Sequence, residues 1–217
     1  MKFEKGIDEK YLRSVSDAFD TILTHGTEQQ TMIAGLILSS DMLIRVRPVS
    51  KVKASGQTGL IDPGSTNDRI EEERLSVKES LGEIYIAIAE ETIDTGGQRG
   101  CEGTLVHEGR HAYDFAQTVS SFSEADVNPL SIVDPTLYEL ELEAHKIAGD
   151  YMLCIDKDEY LDEGLGLMIL SRKETSGPCY VDESGIHRRL AESYGLSPEK
   201  PGPLASELLG LRQKHDW

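Results

Sequence analysis

The 217-residue sequence predicts an α+β fold. The expected architecture is a small twisted sheet packed on a His-Glu-x-x-His helix, followed by a helical C-terminal part. Three observations point to it. Residues 83–90 alternate, with Ile84, Ile86 and Ile88 on one side, as a half-buried strand does. Residues 104–115 carry Leu105, Val106, Ala112, Tyr113 and Phe115, apolar around most of a helical circumference. That is the composition of a buried helix. Residues 136–156 form a further helix on which Leu137, Glu141, Ala144 and Ala148 share one face.

Taken in order, Tyr11, Leu12, Val15, Phe19, Ile22 and Leu23 recur at helical spacing across residues 7–25, and His25-Gly26 is a stop. Thr27 opens a second short helix through the apolar patch 32–38. Residues 42–49 read as a strand, with Pro48 placing it at an edge or an end. Residues 50–69 are polar and rich in Gly, Pro, Asp and Asn, and read as a long loop or loose hairpin around residues 59–62. The charge run 71–74 reads as a solvated face. Residues 95–100 read as a glycine turn between the 83–90 strand and the motif helix. Residues 120–134 read as a loop. Asp134-Pro135 has the form of an N-cap followed by Pro at the first helical position. Residues 161–170 carry no firm periodicity, and 173–179 read as a loop. Residues 184–194 and 204–215 read as two short helices separated by Pro198, Pro201 and Pro203.

A chain of this length is expected to form one domain spanning residues 1–217 with a substantial core. Hydrophobic and charged contents of 38% and 28% are ordinary for a globular protein. The formal charge of −17 is not. It argues against nucleic acid and anionic membranes as partners, because phosphates would be repelled. It favours cations, a metal among them, and basic or neutral peptides, although solubility alone also accounts for it. Cys101, Cys154 and Cys179 are widely spaced and form neither a disulfide framework nor a C-x-x-C pair. The N-terminal residues carry no apolar signal region, so a cytoplasmic location, or export without a Sec signal peptide, is expected. The longest apolar run, 32–38, is far short of the roughly 20 residues a membrane span needs.

The chemistry concentrates in His107, Glu108 and His111. On a helix, positions i and i+4 lie one turn apart on one face, roughly 6 Å between Cβ atoms. Two imidazoles so placed can hold one Zn²⁺ at about 2.0–2.1 Å each. Glu108 sits beside them, able to take a proton from a zinc-bound water whose pKa the ion lowers to about 7. Burying two His and a Glu without such a partner is costly. The competing readings are a structural metal site and hydrogen-bonded core histidines.

A catalytic zinc takes three protein ligands and leaves one position open. A third His closely following the motif is absent, since Asp114 and Gln117 occupy those positions. Glu139, Glu141 and Glu143 on the next long helix are the candidates. Glu141 is preferred because small and apolar neighbours share its face, and Ala144 allows close helix approach. His145 as a third imidazole is the alternative, and a merely polar helix face is the bland one. His145, Tyr151, Tyr180 and His187 are candidate donors to a developing oxyanion. Cys179 is a candidate inhibitory thiol.

His107-Glu-Gly-Arg-His111 followed by Glu141-x-x-Ala144 resembles the gluzincins, zinc metallopeptidases with a Glu ligand on a second helix. The E-x-x-A arrangement is similar to that of HtpX-like and ImmA/IrrE-like peptidases. In the former an Asp often follows the Ala, whereas this sequence has His145. Asp114, Glu143 and Asp150 are the carboxylates available to orient a ligating His instead. The resemblance covers about 40 residues. It implies a zincin-like fold and a zinc endopeptidase acting on protein or peptide substrates, with His107, His111 and Glu141 on the metal and Glu108 as general base. A zinc hydrolase of another amide shares all these residues. A non-catalytic regulatory or binding protein on the same scaffold is a further alternative, against which the intact Glu108 speaks. A toxin or effector delivered by a specialised route is compatible as well.

Overall fold

The computed structural model describes residues 1–125, 129–162, 164–174 and 177–212. It is a mixed α+β structure. A four-stranded sheet has the order β1-β2-β4-β3, formed by β1 (Lys2–Phe3), β2 (Leu43–Arg47), β3 (Gly56–Leu60) and β4 (Ile84–Ala89). β1, β2 and β4 are parallel; β3 runs antiparallel to β4, pairing Thr58 with Ile86. β3 is therefore an edge strand.

Ile84, Ile86 and Ile88 of β4 are fully buried among the helices. The opposite face of β4 is covered too. Ala87 and Ala89 pack with Val52, which arrives on α3 (Val49–Val52). The alternation seen in the sequence thus reflects two unequal cores, with three isoleucines on one face and Tyr85, Ala87 and Ala89 on the other.

α1 (Glu9–His25) buries Tyr11, Val15, Ala18, Phe19 and Ile22. α2 (Glu28–Ser39) opens with a capping box between Thr27 and Gln30, which satisfies backbone donors at its first turn. Gln30 Nε2 then donates to Ile147 O at 2.9 Å, fixing α2 to the helix that follows the motif. Both α1 and α2 pack on α6 (Glu90–Ser123), the helix that carries the motif. α7 (Leu137–Ile155) crosses α6 with Ala144 fully buried.

Several sequence expectations are corrected. Residues 50–69 are not a loop. They hold α3, β3 and the start of α4 (Pro63–Glu72), whose N-cap Asp62 accepts from Gly64 N and Ser65 N. Residues 95–100 are not a turn before the motif helix. α6 starts directly at the end of β4 and is broken only at Gly97, whose φ of 58° and ψ of −154° are those of a glycine. The same helix runs to Ser123, into the expected 120–134 loop, of which 126–128 lie outside the described residues. Asp134 does not cap α7. Thr136 does, and Asp134 accepts from Ser206 N and Oγ instead, tying in α10 (Ala205–Leu209). That last helix stops at Gly210, so the expected helix over 204–215 is shorter; 213–215 lie outside the described residues.

α5 (Val77–Leu81) lies before β4. α8 (Lys157–Asp162), the β5 (Leu170–Arg172) and β6 (Cys179–Val181) hairpin, and α9 (Glu183–Arg189) follow α7. α9 continues into a π-helical turn, Leu190–Tyr194. No described helix is long and apolar enough to cross a membrane.

Candidate metal centre

α6 presents His107 and His111 one turn apart toward α7, as the i, i+4 spacing requires. Their Nε2 atoms stand 3.1 Å from one another. Glu141, on α7, brings Oε2 to 3.5 Å from His107 Nε2 and Oε1 to 3.5 Å from His111 Nε2. Two donors each about 2.0–2.1 Å from a tetrahedral zinc stand about 3.3–3.4 Å apart. The three observed separations bracket that edge length.

The buried polar inventory agrees with a cation site. Glu141 Oε2 and both ring nitrogens of His145 are buried without a hydrogen-bond partner among the described residues. His145 is 4% exposed, and its Nε2 lies 3.8 Å from Glu141 Oε2. His107, Glu141 and His145 each place a ligand atom within 4.8 Å of the others. Buried polar groups left unpaired are costly; a cation between His107, His111 and Glu141 would satisfy Glu141 Oε2, and only a cation that also reached His145 would relieve that ring.

The electrostatics fit the same picture. Burial opposes ionisation of Glu141, but the imidazoles of His107 and His111 outweigh it and hold the carboxyl well below its ordinary range. Burial alone would push His111 down, yet Glu141, Glu108 and Asp114 raise it. His145 is pushed down to about 3 by burial and by His107, so its ring is neutral near pH 7.

Glu108 points to β3. Its Oε2 accepts from Thr58 Oγ1 at 2.7 Å. Gly56 is where β3 comes closest. A Cβ there would stand 2.6 Å from Glu108 Cγ and 2.7 Å from Thr104 Cγ2, so only glycine fits. The Gly56–Leu60 edge strand and Glu108 are thereby locked together on the cleft wall.

The cleft is about 1040 Å³. It runs from His107, Glu108 and Glu141 along α6 past Gly103 and Gly100, with Met152, Tyr160, Leu165 and Ile169 as an apolar wall. Beneath it, the buried Glu102 accepts from Arg99 Nη1 at 2.8 Å and from Tyr151 Oη at 3.0 Å.

The other sequence candidates separate cleanly. Glu139 closes the capping box of Thr136, and Glu143 pairs with Lys146 at 3.7 Å on the surface. Neither joins the cluster. Of the candidate oxyanion donors, His145 lines the cleft. Tyr151 is fully buried on Glu102, the Tyr138 hydroxyl bonds His187 Nδ1 at 2.8 Å, and Tyr180 is exposed on β6. Cys179 lies beside Arg172, 3.2 Å from its Nε, and not on the cleft. Asp114 accepts from Arg110 Nε at 2.8 Å, and no described carboxylate bonds His111 Nδ1. Sequence reasoning did not find Gly56, Thr58, Arg189 or Tyr194. The first two belonged to a presumed loop, and the last two are brought together only by the π turn.

Comparison with protein-family models, with curated proteins and with solved structures returns no match.

Proposed function

We propose that the protein is a zinc-dependent metallopeptidase of gluzincin type on a zincin-like fold. One observation carries this reading: His107 Nε2, His111 Nε2 and the Glu141 carboxylate converge from two helices at 3.1 and 3.5 Å, with Glu108 beside them. His107, His111 and Glu141 would hold the metal, which supplies Lewis-acid polarisation and an acidified water. Glu108 takes the proton of the attacking water and returns it to the leaving amine, with Thr58 fixing the carboxylate in place. Tyr194 lines the cleft as a donor for the developing oxyanion. Burial, then the nearby Glu141, raises its phenol pKa, so it carries its proton near neutral pH. The free edge of β3 beside Glu108 suits an extended peptide, which can add to it as a further strand.

The test begins with zinc content by elemental analysis, followed by hydrolysis of a peptide library. About one zinc per chain in the wild type, and turnover that falls about 100- to 10,000-fold in Glu108→Gln with zinc retained, would support the reading. Undiminished turnover in Glu108→Gln, or no zinc in a folded wild-type protein, would overturn it.

A further inference from the structure

Arg189 is the cleft residue that the proposed chemistry leaves without a task. It lines the cavity together with Glu141, His145 and Tyr194. Its Nη1 donates to Leu167 O at 3.2 Å, which secures the segment carrying Leu165 and Ile169. Its Nε is buried with no hydrogen-bond partner, and no carboxylate lies within 4.0 Å of it among the described residues. The chain carries 39 Asp and Glu against 22 Lys and Arg, and Arg13, Arg45, Arg47, Arg69, Arg99, Arg110 and Arg172 each find an acid, so Arg189 is not unpaired for want of carboxylates. Arg99, on the same cleft, is bound by both Glu102 and Glu159.

The local backbone brings Tyr194 to the same cleft as Arg189. In a regular α-helix of 3.6 residues per turn, positions i and i+5 diverge by roughly 140°. Arg189 and Tyr194 are five apart, yet both line the cleft. The π turn over Leu190–Tyr194, closed by Gly195 N–H on Leu190 O and ended by Gly195 at φ 69°, narrows that divergence. Such π insertions frequently occur at functional sites. Arg189 shares this part of the cleft wall with the His145 ring and the Tyr194 phenol.

We infer that Arg189 recognises a carboxylate on the substrate, at the part of the cleft it lines with Glu141, His145 and Tyr194. The guanidinium fork matches a carboxylate in a way a lysine does not. The carboxylate has two sources, the C-terminus of the peptide or an Asp or Glu side chain flanking the cut. In either case the substrate class narrows to peptides carrying a negative charge at that place, despite the acidity of the chain as a whole. This inference rests on the reading of the cleft as a peptidase site.

The test uses binding, so that it does not depend on turnover. Zinc-loaded Glu108→Gln protein is titrated calorimetrically with three probes: an N-acetylated tri-leucine free acid, its C-terminal amide, and the amide with Glu at the last position. The acid, or the Glu amide, is expected to bind about tenfold more tightly than the plain amide, in keeping with one charge-assisted contact. Which of the two gains identifies the source. Adding Arg189→Gln should abolish the difference between the probes, whatever it does to their common affinity; adding Arg189→Lys, which keeps the charge and guards against a collapsed Leu167 segment, should retain part of it. Equal binding of all three probes, or a preference that survives Arg189→Gln, overturns the inference while leaving the peptidase reading intact. No binding of any probe to zinc-loaded protein counts against both.

Discussion

Thr58 Oγ1 donates to Glu108 Oε2 at 2.7 Å, joining the edge strand to the motif helix at the residue proposed as general base. A base on a flexible side chain is effective only if its carboxylate is held at the point of proton transfer. Thr58→Val removes the donor at nearly constant volume. We expect kcat to fall about tenfold with KM and zinc content unchanged, and Thr58→Ser to restore most of it, since hydrogen bonds to charged groups contribute about 1.5–3 kcal/mol. Steady-state kinetics with metal analysis on both variants checks this. A change in KM alone would assign Thr58 to substrate binding instead.

Gly56 makes a harder demand. Because a Cβ would meet Glu108 Cγ at 2.6 Å and Thr104 Cγ2 at 2.7 Å, Gly56→Ala must push the strand off the helix or displace Glu108. Overpacking of this kind costs about 1–3 kcal/mol. The expected result in thermal denaturation is a lowered Tm accompanied by loss of turnover. An unchanged Tm and turnover would mean that β3 stands further from α6 than described.

The proposed third ligand rests on a comparison of two neighbours on one helix face. Glu141 oxygens lie 3.5 Å from both motif imidazoles, whereas His145 Nε2 is 3.8 Å from Glu141 and has no bond to either. Glu141→Ala is therefore expected to lose zinc on purification without added metal, and His145→Ala to keep it. The reverse pattern would assign a three-His site.

The parts of the site legible in the sequence are those fixed by helical periodicity. His107 and His111 face one way because four residues make about one turn, and Glu141 was singled out by its small and apolar companions on α7. β4 was legible from alternation. What was not legible depends on contacts distant in sequence. Asp62-Pro63 and Asp134-Pro135 have the same local form, yet Asp62 caps its own helix while Asp134 is taken by Ser206. Nothing local distinguishes them. The polar 50–69 stretch likewise became a strand because β4 offers an open edge and Glu108 an acceptor for Thr58. Arg189 and Tyr194 read as an ordinary short helix because a π turn leaves no mark in the residue pattern.

Zinc should also act as a stabilising ligand. Among its proposed donors Glu141 Oε2 is buried without a hydrogen-bond partner, and His107 Nε2 and His111 Nε2 hydrogen-bond only to each other, at 3.1 Å, so the metal-free protein retains an under-satisfied polar cluster. Binding to the folded state alone adds about 2.7 kcal/mol at a hundredfold excess over Kd, roughly 5–10 °C in Tm for a chain of this size. Differential scanning fluorimetry with and without a chelator reads the shift. It should vanish in Glu141→Ala.

Cys101 and Cys154 should behave as opposites. Cys101 is fully buried on α6, and burial followed by the adjacent Glu102 charge pushes its thiol up to about 12. Cys154 is exposed on α7. A disulfide reagent at pH 8 should therefore modify Cys154 rapidly and Cys101 only on unfolding, because the thiolate is the reacting form. The same shift affects stability. In the unfolded chain the thiol ionises near 8.5; in the folded protein it stays protonated to about 12. Between those values the folded state binds the extra proton, so the contribution is complete below about pH 8.5 and is lost as pH rises toward 12. Cys101→Ala should flatten the alkaline decline in denaturant stability relative to wild type, even if the smaller side chain lowers stability at pH 7. A decline of equal slope in both proteins would show that Cys101 ionises without hindrance in the folded state.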